Sequence, residues 1–505
     1  MQLTELMRQS GCPDGGEERA GMVGPDRAIL GLASDSRDVR PGYLFAALAG
    51  AKTDGRRYID DALARGAVAI LAGPGVETLP ESKSSAATLL RDPLPRRRLA
   101  RMAARFFGPQ PDVVAAVTGT NGKTSVAHFT AQLWQALGRP AASLGTLGLK
   151  APGFEVAIAH TSPDPITLHR LLAELHSRGI DRVAIEASSH GLDQHRLDGL
   201  SVKAAAFTNL SRDHLDYHVT LNGYFAAKMR LFDALMPPGG VAVVNADSDW
   251  FDAVAGICKA RGHRLISYGH KGRELKLLNV EASAGGITVS AEIFGARQSI
   301  ALKLVGEFQA ANALCALGLV VACGEDAAQT FAALGKIEGV PGRMQAVAWR
   351  QNGAAIFVDY AHTPDALATV LRALQNHARA RLHVLFGCGG DRNAGKRPIM
   401  GEIAVQLADR VYVTDDNPRS ENPASIRRAI MEACPGAIEI GDREQAISFA
   451  VSELEPGDIL VLAGKGHEQG QIIGGEIRPF DDALCARQAA AAADAKLAPS
   501  SRAPR

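Results

Sequence analysis

The chain has 505 residues, 46% of them hydrophobic, an ordinary globular content whose length favours about three domains. Its 55 basic and 54 acidic residues leave a formal charge of +1, which argues against nucleic acid or an anionic membrane as partner and favours small-molecule chemistry. Seven scattered cysteines form no C-x-x-C pair, and neither a basic-then-apolar leader nor a run of about 18 apolar residues occurs, so the expectation is a soluble cytoplasmic protein without disulfide framework or zinc site.

Residues 1–108 read as a small α/β domain that opens with an amphipathic turn over 3–7 and a glycine-rich connector over 11–24. Ser34-Asp35-Ser36-Arg37 and the segment Gly50-Ala51-Lys52-Thr53-Asp54-Gly55-Arg56 place short polar side chains beside glycines. Such residues can hold a uridine or a sugar-phosphate, and ordinary surface turns use them too. After Pro95, Arg96, Arg97 and Arg98 precede Leu99, Met102, Ala103 and Phe106 at helical spacing, so the arginines are expected on a solvated helix face rather than in a nucleic-acid patch.

Residues 109–338 alternate strand and helix patterns, which argues for a mostly parallel sheet flanked by helices. A β-branched run over 113–117 leads into Thr118-Gly119-Thr120-Asn121-Gly122-Lys123-Thr124-Ser125, read as strand, phosphate loop and helix. Glycines let backbone N–H groups close round phosphate oxygens, Lys123 can bridge the β- and γ-phosphates, and Thr124 can offer a hydroxyl to Mg²⁺. Val117 stands where the strict G-x-x-x-x-G-K-[ST] spacing puts its first glycine, so the loop is a variant; a glycine turn beside a surface lysine is the plainer alternative. A strand over 182–185 ends in Glu186-Ala187-Ser188-Ser189-His190-Gly191, and one over 204–207 leads to Asn209-Leu210-Ser211-Arg212-Asp213-His214, polar clusters where open α/β sheets place ligand chemistry. Lys228 alone reads as an exposed helical lysine.

Residues 339–493 form a second alternation, with strands over 355–358, 382–386, 410–413 and 458–462, and read as a Rossmann-like domain without G-x-G-x-x-G. Each strand ends in a polar cluster: Asp359-Tyr360-Ala361-His362, Gly387-Cys388-Gly389-Gly390-Asp391-Arg392, Asp415-Asp416-Asn417-Pro418-Arg419 and Gly464-Lys465-Gly466-His467-Glu468. One shared crevice is the natural inference. The chain from about 487 is expected to fray, with 494–505 a disordered tail.

Together these motifs resemble the Mur ligases of peptidoglycan synthesis over nearly the whole chain, and Asp416-Asn417-Pro418-Arg419 resembles the signature of the members that add meso-diaminopimelate rather than lysine. The resemblance implies an α/β protein of three domains: a UDP-sugar-binding one, a P-loop ATPase-type one and a Rossmann-like one. Their implied activity is ATP-dependent amide formation between meso-diaminopimelate and the D-glutamate carboxylate of UDP-N-acetylmuramoyl-L-alanyl-D-glutamate, through an acyl phosphate, by a cytoplasmic monomer. It implies catalytic roles for Lys123, Glu186, His214 and Lys228, the last N-carboxylated (a carbamoylated lysine), and metal contacts from Thr124, Glu186, His214 and Lys228. ATP contacts fall to Gly119–Ser125, Asn312, Arg343 and Asp359, with Gln309 replacing the first asparagine of the family's N-x-x-N pattern. The UDP-muramoyl dipeptide falls to Ser34, Ser36, Ala51, Lys52, Thr53, Thr161, Ser162, Ser188, Gln194 and Arg196. Diaminopimelate falls to Arg392, Asp416, Asn417, Pro418, Arg419, Gly464 and Glu468.

Elementary chemistry supports this assignment. Joining an amine to a carboxylate in water is uphill, so ATP must first make the carboxylate an acyl phosphate, and cations must separate the carboxylate from the γ-phosphate. Arg419 can grip a carboxylate of diaminopimelate that lysine lacks.

Overall fold

The computed structural model describes residues 1–8, 21–50, 53–79, 87–283 and 286–497. Cys12, Ala51, Lys52, most of the expected glycine connector and residues 498–505 lie outside them. Among the described residues the strands form three main sheets and a small hairpin, with no helix long and apolar enough to cross a membrane.

The first sheet has five strands, in the order Gly21–Val23, Thr88–Arg91, Ala69–Ala72, Tyr43–Ala47 and Gly31–Ala33, and only the Gly21–Val23 edge is antiparallel. Helix Pro95–Phe107 buries Leu99, Met102 and Ala103 against it, as the spacing predicts. Its arginines are not simply solvated. Arg98 is buried in an ion pair with Asp92, Arg96 donates to the Ala49 carbonyl, and Arg97 reaches Asp198 of the neighbouring unit at 3.5 Å. A helix at a boundary uses long cationic side chains as ties, burying the stems and pairing the heads.

The middle sheet has eleven strands. Its centre is parallel, with Val113–Thr118 between Arg182–Glu186 and Val202–Phe207, followed outward by Val241–Asn245 and Arg264–Gly269. Both margins turn antiparallel, through Ala141–Gly145, Gly148–Ala151 and Phe154–Val156 on one side and Leu275–Ser283, Gly286–Ile293 and Ala296–Leu302 on the other. The alternate burial along Gly286–Ile293 is the period-2 pattern of a sheet with one face covered. Helices Lys123–Ala136 and Glu307–Ala322 pack against one face, and a second core fills the other.

The third sheet has six strands, ordered Gln345–Trp349, Ala355–Asp359, Ile459–Ala463, Leu382–Phe386, Arg410–Val413 and Ile438–Glu439, parallel except at the first edge. The four expected strands form within one residue of their expected bounds, and the topology puts all four polar clusters at the carboxyl edge. The C-terminal helix does not fray at 487. It runs as Asp482–Leu497, because Asp494 pairs with buried Arg350 at 2.6 Å and Asp482 with buried Arg443.

Candidate active site

The strand Val113–Thr118 delivers the phosphate loop at the centre of the middle sheet, and neighbouring strand ends hold its shape. Thr120 N–H donates to the Asn209 carbonyl at 2.8 Å and Asn121 N–H to Asn209 Oδ1 at 2.9 Å, while Thr208 Oγ1 donates to the Asn121 carbonyl at 2.6 Å. Gly119, at φ 150°, lies so close to the Thr208 hydroxyl that a Cβ would collide with it, and Gly122 is left-handed at φ 87° against Asn312 Oδ1. Only glycine fits both demands. Helix Lys123–Ala136 starts at Gly122 with no side-chain cap, whereas helix Pro165–Ser177 is capped by Asp164. An uncapped first turn aims its N–H groups and its partial positive charge at an anion.

This loop opens a cavity of about 310 Å³, within the size range of small-molecule sites. Thr120–Ser125, Thr146, Thr161, Glu186, Ser188, His214, Lys228, Asn312, Arg343 and Asp359 line it, so one space collects residues expected from separate motifs. Glu186 is 1% exposed and fully engaged: Oε2 accepts from Thr124 Oγ1 at 3.0 Å, and Oε1 from the Thr146 N–H at 2.7 Å. Thr146 carries no motif, yet it fixes the carboxylate; its place directly after strand Ala141–Gly145 is the available signal.

Lys123 Nζ folds back onto the Gly119 and Thr120 carbonyls at 2.9 and 2.8 Å, and desolvation lowers its pKa against the opposing pull of Glu186 and Asp213. Lys228 corrects its expected exposure. It is 1% exposed, because helix Leu221–Arg230 turns Tyr224, Ala227 and Lys228 inward, and its Nζ donates to the Gly119 carbonyl at 2.7 Å while lying 4.2 Å over the Tyr224 ring. Burial, then the charge of Lys123, push its ammonium well below the lysine range, with Asp213 opposing. His214 stands in a left-handed conformation, φ 53°, and enclosure brings its imidazole down to about 4, against the pull of Asp213.

Asn312 donates to Gln309 Oε1, and Arg343 bridges the middle and third units by donating to Thr124 Oγ1 at 3.1 Å with its guanidinium 4.2 Å over the Tyr360 ring. Asp359 lines the cavity, but both its oxygens accept backbone N–H bonds, from Met344 and Ala361. Burial raises its pKa.

A second cavity, about 190 Å³, adjoins the first and shares Asp213, His214, Tyr360 and His362 with it. Arg392, Asp416, Asn417, Arg419, Gly464 and Glu468 line it, together with Arg212 and Lys396, which no motif role had covered. Asn417 Oδ1 accepts from Lys465 Nζ at 3.1 Å and from the Ile472 N–H at 2.9 Å, and its Nδ2 donates to Glu468 Oε2 at 2.9 Å. Arg419 NH1 donates to the Gly390 carbonyl at 2.7 Å, and its backbone is held on both sides by the hairpin of Gly470–Ile473 and Glu476–Pro479. Pro418 does not line the cavity; its carbonyl packs under Gly390.

Ser162 and Arg196 stand behind the central cavity. Ser162 Oγ donates to the Glu186 carbonyl at 2.9 Å, and Arg196 to the Ser162 carbonyl at 2.8 Å and to Gln194 Oε1. Ser34 is exposed, Ser36 buried and Thr53 exposed, and none of them lines either cavity. A third cleft lies between the first sheet and His195, walled by Ala47–Ala49, Arg56, Gly73, Pro74 and 93–96.

The family models described as Mur ligase family, catalytic domain, Mur ligase middle domain, and Mur ligase, glutamate ligase domain match residues 28–107, 117–320 and 342–466. UDP-N-acetylmuramoyl-L-alanyl-D-glutamate--2,6-diaminopimelate ligase of Bradyrhizobium diazoefficiens is 53% identical over 90% of this chain and 93% of its own. The protein of the same name from Agrobacterium fabrum is 50% identical over 90% and 91%. A solved structure of a ligase of that name superposes with a TM-score of 0.66 at 34% identity, covering 92% of this chain and 95% of that one. Folylpolyglutamate synthase of Mycobacterium tuberculosis, solved with ADP and AMPPCP, shares the fold at a TM-score of 0.61 and 19% identity, over 74% and 92%.

Proposed function

The chain belongs to the Mur ligase family, and from that premise we propose that it joins meso-diaminopimelate to the D-glutamate carboxylate of UDP-N-acetylmuramoyl-L-alanyl-D-glutamate at the expense of ATP. The observation that carries this reading is the junction of the two cavities: a phosphate loop with an engaged carboxylate on one side, a pocket of paired cations, amide and carboxylates on the other, and four residues common to both.

The uncapped helix start and Lys123 hold the polyphosphate, and Arg343 and Asn312 face the nucleotide from the seam. Thr161 and Ser188 line the wall where the acceptor peptide would present its carboxylate, with Ser162, Gln194 and Arg196 supporting that wall. The cleft at Arg56 and Arg96, closed by His195, offers two guanidinium cations to the UDP diphosphate. Asn417, Glu468 and Arg419 bind the far end of diaminopimelate, whose ammonium suits Glu468 and whose carboxylate suits Arg419.

Thr124 Oγ1 and Glu186 Oε2, 3.0 Å apart, are hard oxygen donors that fit Mg²⁺, which takes few protein ligands and completes its shell from phosphate and water. Such an ion supplies charge neutralisation at the phosphates. His214, held neutral, and Lys228 are the further contacts. A buried amine with a disfavoured ammonium supports N-carboxylation of Lys228, since a carbamate replaces a desolvated cation by an oxygen donor. Free thiols among the described residues and the ATP substrate support a cytoplasmic setting.

Phosphate release and product mass, read with ATP, Mg²⁺ and the UDP-muramoyl dipeptide, test the reading when meso-diaminopimelate and L-lysine are offered separately. Amide product from diaminopimelate alone is expected; product from lysine overturns the selectivity, and phosphate without amide overturns the ligase. Intact mass should show the chain heavier by one CO₂ at Lys228, and unmodified Lys228 in active enzyme overturns its N-carboxylation.

A further inference from the structure

The ligase reading leaves one step without a residue. At neutral pH the incoming amino group is an ammonium with no lone pair, and something at the junction of the two cavities must remove its proton before it can attack.

We propose that His362 is this general base, taking the proton on Nε2. The imidazole lies where both cavities meet. Its Nδ1 lies 2.8 Å from the Tyr360 carbonyl, an oxygen that can only accept, so Nδ1 carries the proton and the lone pair sits on Nε2. Among the described residues Nε2 has no hydrogen-bond partner and is not among the enclosed atoms that lack one, so its lone pair is open to the cavities His362 lines. The Tyr360 ring packs edge-on at 4.7 Å and sets the ring plane, and Lys396 Nζ ties down the His362 carbonyl at 2.6 Å. The charged groups facing it are Asp213, which favours protonation, and Lys396 and Arg343, which oppose it; Tyr360 and beyond it His467 complete the surround. Burial outweighs Asp213 and leaves the imidazole neutral at physiological pH, the form that accepts a proton. The other candidates are committed elsewhere: Glu468 is held by Asn417 and Lys465, and Asp213 by His214.

The step balances. The ammonium gives one proton to Nε2, the freed nitrogen lone pair forms the C–N bond at the acyl-phosphate carbonyl, and the bond from that carbon to the bridging oxygen breaks, the oxygen leaving on phosphate with the electron pair. The departing phosphate takes the second proton from nitrogen, and the imidazolium returns its own to solvent.

Competition between two nucleophiles tests this without depending on how much enzyme folds. Hydroxylamine is already unprotonated at neutral pH and traps the acyl phosphate as a hydroxamate, so it needs no base. With ATP, Mg²⁺, the UDP-muramoyl dipeptide, saturating diaminopimelate and hydroxylamine together, the amide-to-hydroxamate ratio reports only the attack. In His362→Gln this ratio should fall by about 10²-fold or more, and should climb about tenfold per pH unit as free amine accumulates, while the wild-type ratio stays level above neutrality. A fall of less than tenfold overturns the proposal, and so does a fall by one factor at every pH, which marks a residue that merely positions the amino acid. Wild-type enzyme that yields hydroxamate but no amide would instead overturn the choice of diaminopimelate.

Discussion

The cavity at the phosphate loop and the cavity at Arg419 share a wall, yet they are built in different ways. The phosphate loop is seven consecutive residues, and its shape comes from glycine conformations and from backbone bonds to 208–211, the end of the adjacent strand. The pocket around Asn417 and Arg419 has no such contiguous frame. Asn417 is set by Lys465, Glu468 and Ile472, about fifty residues away, and Arg419 by Gly390 and the 470–479 hairpin. A loop made rigid by its own backbone keeps one chemistry such as phosphate binding, whereas a pocket assembled from several loops can change its amino acid by changing one of them.

This contrast can be broken by substitution. The largest effect should come from Lys123→Ala, which removes a cation from the phosphates: phosphate release should fall by about 10³-fold or more, with diaminopimelate binding by calorimetry intact. Arg419→Ala should cost diaminopimelate kcat/KM by about 2–5 kcal/mol, since a carboxylate would be left unpaired, while ADP affinity stays within about twofold; equal loss of both would erase the distinction between the cavities. Lys465→Met takes the shared donor from Asn417 and Glu468 and should raise the KM for diaminopimelate by about 1–2 kcal/mol with ADP affinity unchanged.

The last effect is on stability rather than on activity, and it concerns the seam. Burial, with the charge of Arg343 adding to it, lowers the His467 imidazole to about 4 from 6.5. Between those values the unfolded chain binds a proton that the folded chain refuses, so stability is complete above about pH 6.5 and drains away as pH falls toward 4, by up to roughly 3 kcal/mol. Urea unfolding at pH 7 and 4.5 should show the loss, and His467→Gln should reduce it.

Much of the phosphate-loop cavity is legible in the sequence. A strand, two glycines, Lys123 and Thr124 sit in one run, and Glu186 and His214 follow apolar strands whose ends must meet the loop in a parallel sheet. The antiparallel margins of that sheet are less legible, because long period-2 runs such as Gly286–Ile293 are absorbed into a general strand–helix alternation. Arg98 and the C-terminal helix depart from expectation for a related reason. Charged and alanine-rich stretches look solvated or frayed until a partner such as Asp92 or Arg350 is found elsewhere in the chain.

Lys228 marks the limit most clearly. Local pattern makes it one more polar residue on a helix, and only the packing of Leu221–Arg230 onto the phosphate loop buries its amine beside Gly119. His362 is similar: its motif is visible, but the choice of which nitrogen keeps the proton depends on the Tyr360 carbonyl, and its access to both cavities on how two sheets meet. By itself the sequence determined which elements form and which chemical groups stand at their ends, since periodicity, glycine and capping act over a few residues. Tertiary structure alone decided which of those groups are desolvated and which face one another, because burial and pairing depend on segments that the chain brings together from far apart in its length.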